Sequence, residues 1–175
     1  ATQRAVSAVA GKFGDTVWIA VNDRADLAKV MALEAPDNVE VILHLGQDDI
    51  PPSVARDLVG DEMVIGLSTH NAEQVHCASS EDIDYLGYGP VYPTLTKSRP
   101  DPTTGVDGLV EALQIASKPV VAIGGVTRDR APSLRRHGAH WVVVVRDLLE
   151  GVDLSSDMGV ARLQEAVCRL EESLR

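Results

Sequence analysis

Aromatic residues are scarce in this chain, at 3% of 175 residues with a single Phe. Its core must therefore be built from Val, Ile, Leu and Ala. Cysteine is nearly absent too. Cys77 and Cys168 stand far apart with no CxxC or Cys/His spacing, which excludes a disulfide framework and a zinc site. The expectation is two reduced thiols in a cytoplasmic protein. Cationic charge is in deficit, with 16 Lys and Arg against 26 Asp and Glu and a net charge of −10. A nucleic-acid partner needs a basic face and is excluded on that ground. No apolar run approaches the roughly 18 residues of a membrane helix, and no secretory signal is visible. No GxGxxG follows the first apolar run, which weakens a dinucleotide reading. No Ser-His-Asp arrangement, tandem repeat or low-complexity linker occurs.

What is present is a rhythm. A hydrophobic content of 45% and a charged content of 24% suit one soluble globular domain spanning residues 1–175. Apolar, β-branched runs recur at Val17–Val21, Val39–Leu45, Met63–Leu67, Ile83–Gly87, Pro119–Ile123 and Trp141–Val145. Runs so uniformly apolar predict strands buried on both faces. Helical signals lie between them. Asn71 with Gln74 reads as a capping box, and Pro51-Pro52 precedes a helical stretch. Thr127 reads as the cap of a segment closing at Gly138. Val160, Leu163, Val167, Leu170 and Leu174 keep the period of an amphipathic helix, and residues 1–12 read as helical. This β-α alternation predicts a parallel sheet, either doubly wound or a (β/α)8 barrel. The stretch Thr94–Gly108 reads as the longest loop.

In α/β folds the chemistry sits at the carboxyl ends of strands. Here those ends read Asn22-Asp23-Arg24, His44 to Asp49, Ser68-Thr69-His70, Pro93 to Lys97, Gly124-Gly125, and Arg146. Asp23, Asp49 and Ser68 could each cap the following helix. Taken together the six ends point to a site. Asp23 and Asp49 on adjacent ends suit one Mg²⁺, which favours one or two carboxylates. Thr94 and Thr96 point the same way in an extended segment, and Lys97 adds a compact cation. Gly124-Gly125 lets backbone N–H groups approach an anion. Arg146 on the next end suits the phosphate that barrels often hold between their last two strands. A chain this acidic needs local cations for such a ligand, with Arg24 or Arg99 as further candidates. His44 reads as a satisfied core residue and His70 as a group lining the site.

These motifs resemble the thiamine phosphate synthase family. The matching pieces are Val21 to Arg24, His44 to Asp49, Gly66 to His70, Asp84 to Lys97, and Ala122 to Val126. The resemblance implies a (β/α)8 TIM barrel and a transferase. That enzyme joins hydroxymethylpyrimidine diphosphate to thiazole phosphate and releases diphosphate. It implies Mg²⁺ on Asp23 and Asp49. It implies diphosphate or pyrimidine contacts from Asn22, Ser68 and Lys97, with Ser68 and Lys97 catalytic. Thr94, Thr96, Gly125, Val145 and Arg146 would hold the thiazole phosphate. Small-molecule partners follow, with no nucleic acid or membrane, and a homo-oligomer is allowed.

Three features depart from the family pattern. No Gln-x-Arg-x-Lys segment precedes Asn22, so on this reading the barrel's first two strands and first helix are missing. Residues Met31–Glu40 read as an insertion. Arg146 and Trp141 stand where smaller residues are usual. Two other readings share the barrel, a thiazole tautomerase-like protein and a non-catalytic phosphate-binding barrel. Pro90, Thr94 and Thr96 favour the synthase over the tautomerase. A phosphosugar isomerase would need a clear acid/base pair, and Asp23 and Asp49 are better used on metal.

Overall fold

The structure is a computed structural model that describes residues 17–94, 101–153 and 155–174. The expected N-terminal helix, together with Thr96, Lys97 and Arg99, lies outside the described residues. Six strands alternate with helices: β1 (Val17–Asn22), α1 (Ala25–Leu33), β2 (Val39–Leu45), α2 (Pro52–Val59), β3 (Ile65–Thr69), α3 (Ala72–Ala78), β4 (Tyr85–Tyr88), α4 (Gly105–Ile115), β5 (Val120–Ala122), α5 (Ala131–Arg136), β6 (Trp141–Val142), α6 (Arg146–Leu149) and α7 (Asp157–Leu174). Every expected apolar run contains a strand. The described residues fall into two compact units. One takes those up to Ser68 with Ser80–Tyr85, the other Thr69–Ser79 with those from Leu86 onward.

In the first unit β1, β2 and β3 run parallel, with Asn22 opposite His44 and Leu45 opposite Leu67. Leu43, Leu45 and Ile65 are fully buried, as are Ala28 and Ala55 from the helices. Pro52 opens α2, where its missing N–H is harmless. In the second unit β4 from Leu86 onward, β5 and β6 run parallel, with Tyr88 opposite Ala122 and Ala122 opposite Val142. Leu86, Leu109 and Leu134 are fully buried. The apolar stripe of α7, from Val160 to Leu174, is half-buried, as its period requires.

Several expectations need correction. Burial on both faces holds for the middle strands and fails at β1 and β6, where Trp18 and Trp141 are each 51% exposed. Among the described residues β1 pairs only with β2 and β6 only with β5, so one side of each lacks a neighbour. The sixth strand stops at Val142, short of Val145. The Thr94–Gly108 loop ends sooner than expected, because α4 starts at Gly105. Thr127 does not cap α5. Its carbonyl accepts the Arg130 and Ala131 N–H groups in a turn, and the helix starts at Ala131.

Candidate active site

In the first unit the chain leaves β1 through Asp23, whose φ of 66° is left-handed, an unusual conformation for a residue with a side chain. The Asp23 N–H donates to the His44 carbonyl at 2.9 Å. That bond extends the β1–β2 ladder past Asn22. The cap position of α1 falls on Arg24, which makes no side-chain cap bond. The Arg24 guanidinium instead forms an exposed pair with Asp26 at 2.8 and 2.5 Å. That hydrogen bond holds the Asp26 carboxyl down to about 2. Arg24 is thereby neutralised locally and is a poor candidate for phosphate.

Asp49 closes a turn after β2. Its Oδ2 accepts the Gly46 N–H at 2.6 Å, while the Gly46 carbonyl accepts the Asp49 N–H at 3.4 Å. The α2 cap is Pro51. Ser68 is buried near the end of β3. The α3 cap is Asn71, whose side chain accepts the Gln74 N–H at 2.9 Å. The reciprocal Gln74 bond reaches the His70 N–H at 2.7 Å rather than the Asn71 N–H. Asp23, Asp49 and Ser68 are therefore all spared capping duty. Ser68 is tied sideways as well. Its Oγ lies 2.9 Å from His44 Nε2, and its carbonyl accepts from Gln47 Nε2 at 2.7 Å. His44 Nδ1 meets the Tyr85 hydroxyl at 2.8 Å. His44 is a satisfied residue as expected, and the predicted site serine is among its partners.

In the second unit the segment after β4 lies directly on the glycine pair that follows β5. Val91 N–H donates to the Ile123 carbonyl at 2.9 Å and Tyr92 N–H to the Gly124 carbonyl at 3.1 Å. Gly124 and Gly125 have φ of 82° and 63°. A Cβ on Gly125 would sit 2.5 Å from the Pro93 carbonyl oxygen and 2.6 Å from that of Tyr92. The approach of their own chain thus requires these glycines, independently of any anion. Thr94 is half-buried at the end of this described segment. Sequence reasoning missed Arg130, which donates to the Gly125 carbonyl at 3.1 Å and stacks 4.4 Å over the Tyr92 ring. It fastens one strand-end segment to the other.

Val145 is the cap residue of the short helix α6, and Arg146 is its exposed first residue. Neither belongs to a strand. Asp147 beside them accepts from Arg128 through the backbone N–H at 3.0 Å and Nε at 2.7 Å. The Arg128 N–H, opposed by partial burial and helped by the guanidinium, keeps the Asp147 carboxyl below its ordinary range. A cavity of about 380 Å³ next to this pair is lined by Arg128, Asp129, Asp147, Arg169, Leu170 and Ser173 and contains none of the predicted residues. His70 bonds the Gly89 carbonyl through Nδ1 at 2.5 Å, with Nε2 3.5 Å from Asp101. It braces the backbone. Cys77 and Cys168 are exposed and form no disulfide. Among the described residues no helix is long and apolar enough to cross a membrane.

The profile of the thiamine monophosphate synthase family matches residues 3–148. The chain is similar to the thiamine-phosphate synthase of Koribacter versatilis, 44% identical over 133 residues that make up 76% of this chain and 60% of that protein. It is 43% identical over 148 residues to the thiamine-phosphate synthase of Corynebacterium efficiens, covering 83% of this chain and 68% of that one. The chain thus spans about 60% of the first relative's length. A solved structure, the thiamine phosphate pyrophosphorylase from Pyrococcus furiosus, matches at a TM-score of 0.66 and 24% identity over 99% of this chain and 79% of that one. That likeness speaks to the fold and supports the parallel barrel class expected from the sequence. The profile match and these identities show that the chain belongs to the thiamine monophosphate synthase family.

Proposed function

We propose that this chain carries out thiamine phosphate synthesis, joining a hydroxymethylpyrimidine diphosphate to a thiazole phosphate with release of diphosphate. The observation that carries the reading is that Asp23, Asp49 and Ser68 sit where helix caps are expected and are not the caps. On this reading these strand-end groups meet a ligand in addition to the bonds they make within the fold.

The reaction breaks the bond between the pyrimidine methylene carbon and the diphosphate oxygen, and both electrons leave with diphosphate. The thiazole ring nitrogen then gives its lone pair to that carbon. No proton is transferred, so no general base is needed. Negative charge gathers on the departing group, and donors aimed there act more on the transition state than on the ground state. Asn22 and Ser68 donate to diphosphate oxygens. Lys97, assigned on sequence alone, meets the same charge.

Asp23 and Asp49 fit Mg²⁺ by their chemistry. Both are hard oxygen donors at the ends of paired strands, and Mg²⁺ takes few protein carboxylates, completing its shell with water and phosphate oxygens. A larger acid cluster is not required, and none occurs among the described residues. Mg²⁺ held by Asp23 and Asp49 would neutralise diphosphate charge. In the second unit Thr94, Gly125, Val145 and Arg146, with Thr96 on sequence alone, hold the thiazole phosphate. Arg130 keeps the Gly125 peptide in place for that role, and fixed placement of the acceptor supplies the proximity advantage. On this reading the protein is a cytoplasmic enzyme of small-molecule substrates.

The test is a coupling assay on this chain with both substrates and Mg²⁺. Thiamine phosphate and diphosphate should appear in equal amounts and only with the metal. A folded chain that forms neither product refutes the proposal.

A further inference from the structure

The first unit brings three polar side chains into a line. His44 on β2 lies opposite Gly66 on β3. Gly66 has no side chain, and the Tyr85 ring occupies the space that a Cβ there would need. Tyr85 thereby reaches across to His44. The rings stack at 5.5 Å between centroids and 27° between planes. The phenol oxygen is 2.8 Å from His44 Nδ1, and His44 Nε2 is 2.9 Å from Ser68 Oγ.

We infer that Tyr85 is a positioning residue that fixes the His44 hydrogen on Nε2 and so turns the Ser68 hydroxyl outward as a hydrogen-bond donor. The inference rests on reading Ser68 as a diphosphate contact. Among the described residues the phenol hydroxyl has one hydrogen-bond partner, His44 Nδ1. Burial pushes that phenol up to about 12, so it keeps its hydrogen at working pH. When it donates, Nδ1 is the bare nitrogen and Nε2 carries the hydrogen. Nε2–H then donates to Ser68 Oγ, and the serine hydrogen is available to another acceptor. The opposite polarity leaves the phenol hydrogen without an acceptor in a part-buried place. It also commits the serine hydrogen to the imidazole. A diphosphate oxygen only accepts, so only the first polarity lets Ser68 meet it as a donor.

Nitrogen-15 NMR of the histidine rings in the ligand-free chain reads this polarity, with His44 assigned by comparison with His44→Gln. At a pH where the ring is neutral, a pyrrole-like Nε2 and a pyridine-like Nδ1 are expected. A pyrrole-like Nδ1 overturns the inference whatever the turnover. In Tyr85→Phe both tautomers should be populated. The kcat of coupling should fall about tenfold, the scale of losing one orienting hydrogen bond, with KM for thiazole phosphate unchanged. An unaltered tautomer with unaltered kcat in folded Tyr85→Phe also overturns it. Should that variant not fold, the ring shifts of the unmodified chain decide alone. Should the unmodified chain not couple the substrates, the proposed function fails, while the ring shifts still decide the polarity.

Discussion

Replacing Arg56 by Ala should lower the stability of the first unit by about 2–4 kcal/mol. The guanidinium is 10% exposed and holds together a turn that contains no regular structure. Nη1 donates to the Met63 carbonyl at 2.5 Å and the Gly60 carbonyl at 3.1 Å, with a marginal contact to Asp61 at 3.4 Å. Nη2 donates to Asp84 Oδ2 at 3.0 Å, an oxygen that also accepts the Ile65 N–H at 2.8 Å. The two ion pairs contribute little, because Asp82 and Asp84 are 62% and 47% exposed. The weight falls on the two good bonds from a charged donor to carbonyls, each about 1.5–3 kcal/mol. Release of the ordered arginine side chain returns up to about 2 kcal/mol of entropy. The net is large against the 5–15 kcal/mol typical of a whole domain. Urea unfolding followed by Trp18 fluorescence in a Trp141→Phe background measures it within this unit. Arg56→Lys should recover less than half, since one ammonium cannot span two carbonyls and a carboxylate. A loss below about 1 kcal/mol for Arg56→Ala would refute the view that this side chain organises the turn.

Four further outcomes are expected. Gly125→Ala places a methyl against the Tyr92 and Pro93 carbonyls in a left-handed conformation and should cost about 2–4 kcal/mol; an unchanged melting temperature contradicts it. Asp23→Gly relieves the left-handed strain but loosens the unfolded chain, so stability should move by less than about 1 kcal/mol while Mg²⁺-dependent coupling disappears; retained coupling removes Asp23 from the metal. The depressed Asp147 carboxyl supplies stability that is complete above its unfolded value near about 3.9 and is lost as pH falls through the lower folded value. The acid limb of melting temperature against pH should therefore be shallower in Asp147→Asn, and identical limbs would show that the Arg128 contact contributes nothing. Lys97→Ala should lower turnover at least about a hundredfold, the scale of one preorganised charge donor, and near-normal turnover in a steady-state assay removes Lys97 from catalysis.

The strands were legible because burial writes itself into composition. Leu43, Leu45 and Ile65 are fully buried and sit inside uninterrupted apolar runs. What such runs do not encode is which strand lies at the sheet edge among the described residues, so Trp18 and Trp141 look the same in sequence as buried residues. The start of α5 was misplaced although the signal was present. Pro132 belongs in a first helical turn, where it lacks an N–H to contribute, and that favours a start at Ala131 over Thr127.

The candidate site divides along a similar line. Asp23, Asp49, Ser68 and Gly125 could be proposed because their residue types and strand-end positions suggest a chemistry. Arg56, Arg130 and Tyr85 could not, because what they bind leaves no mark in the sequence. Arg56 and Arg130 hold backbone carbonyls, which every residue carries, and Tyr85 fills the space left by a glycine 19 residues earlier in the chain. The groups that could touch a ligand are chosen by type, whereas the groups that aim them are chosen by distance. If Ser68 faces a ligand with the inferred polarity, that polarity depends on Gly66 being empty, which only the register of β2 and β3 makes visible. Gly66→Ala should therefore act on Ser68 without touching it. By displacing the phenol it should free the His44 tautomer in the same way as Tyr85→Phe, and the two changes combined should be no worse than either alone.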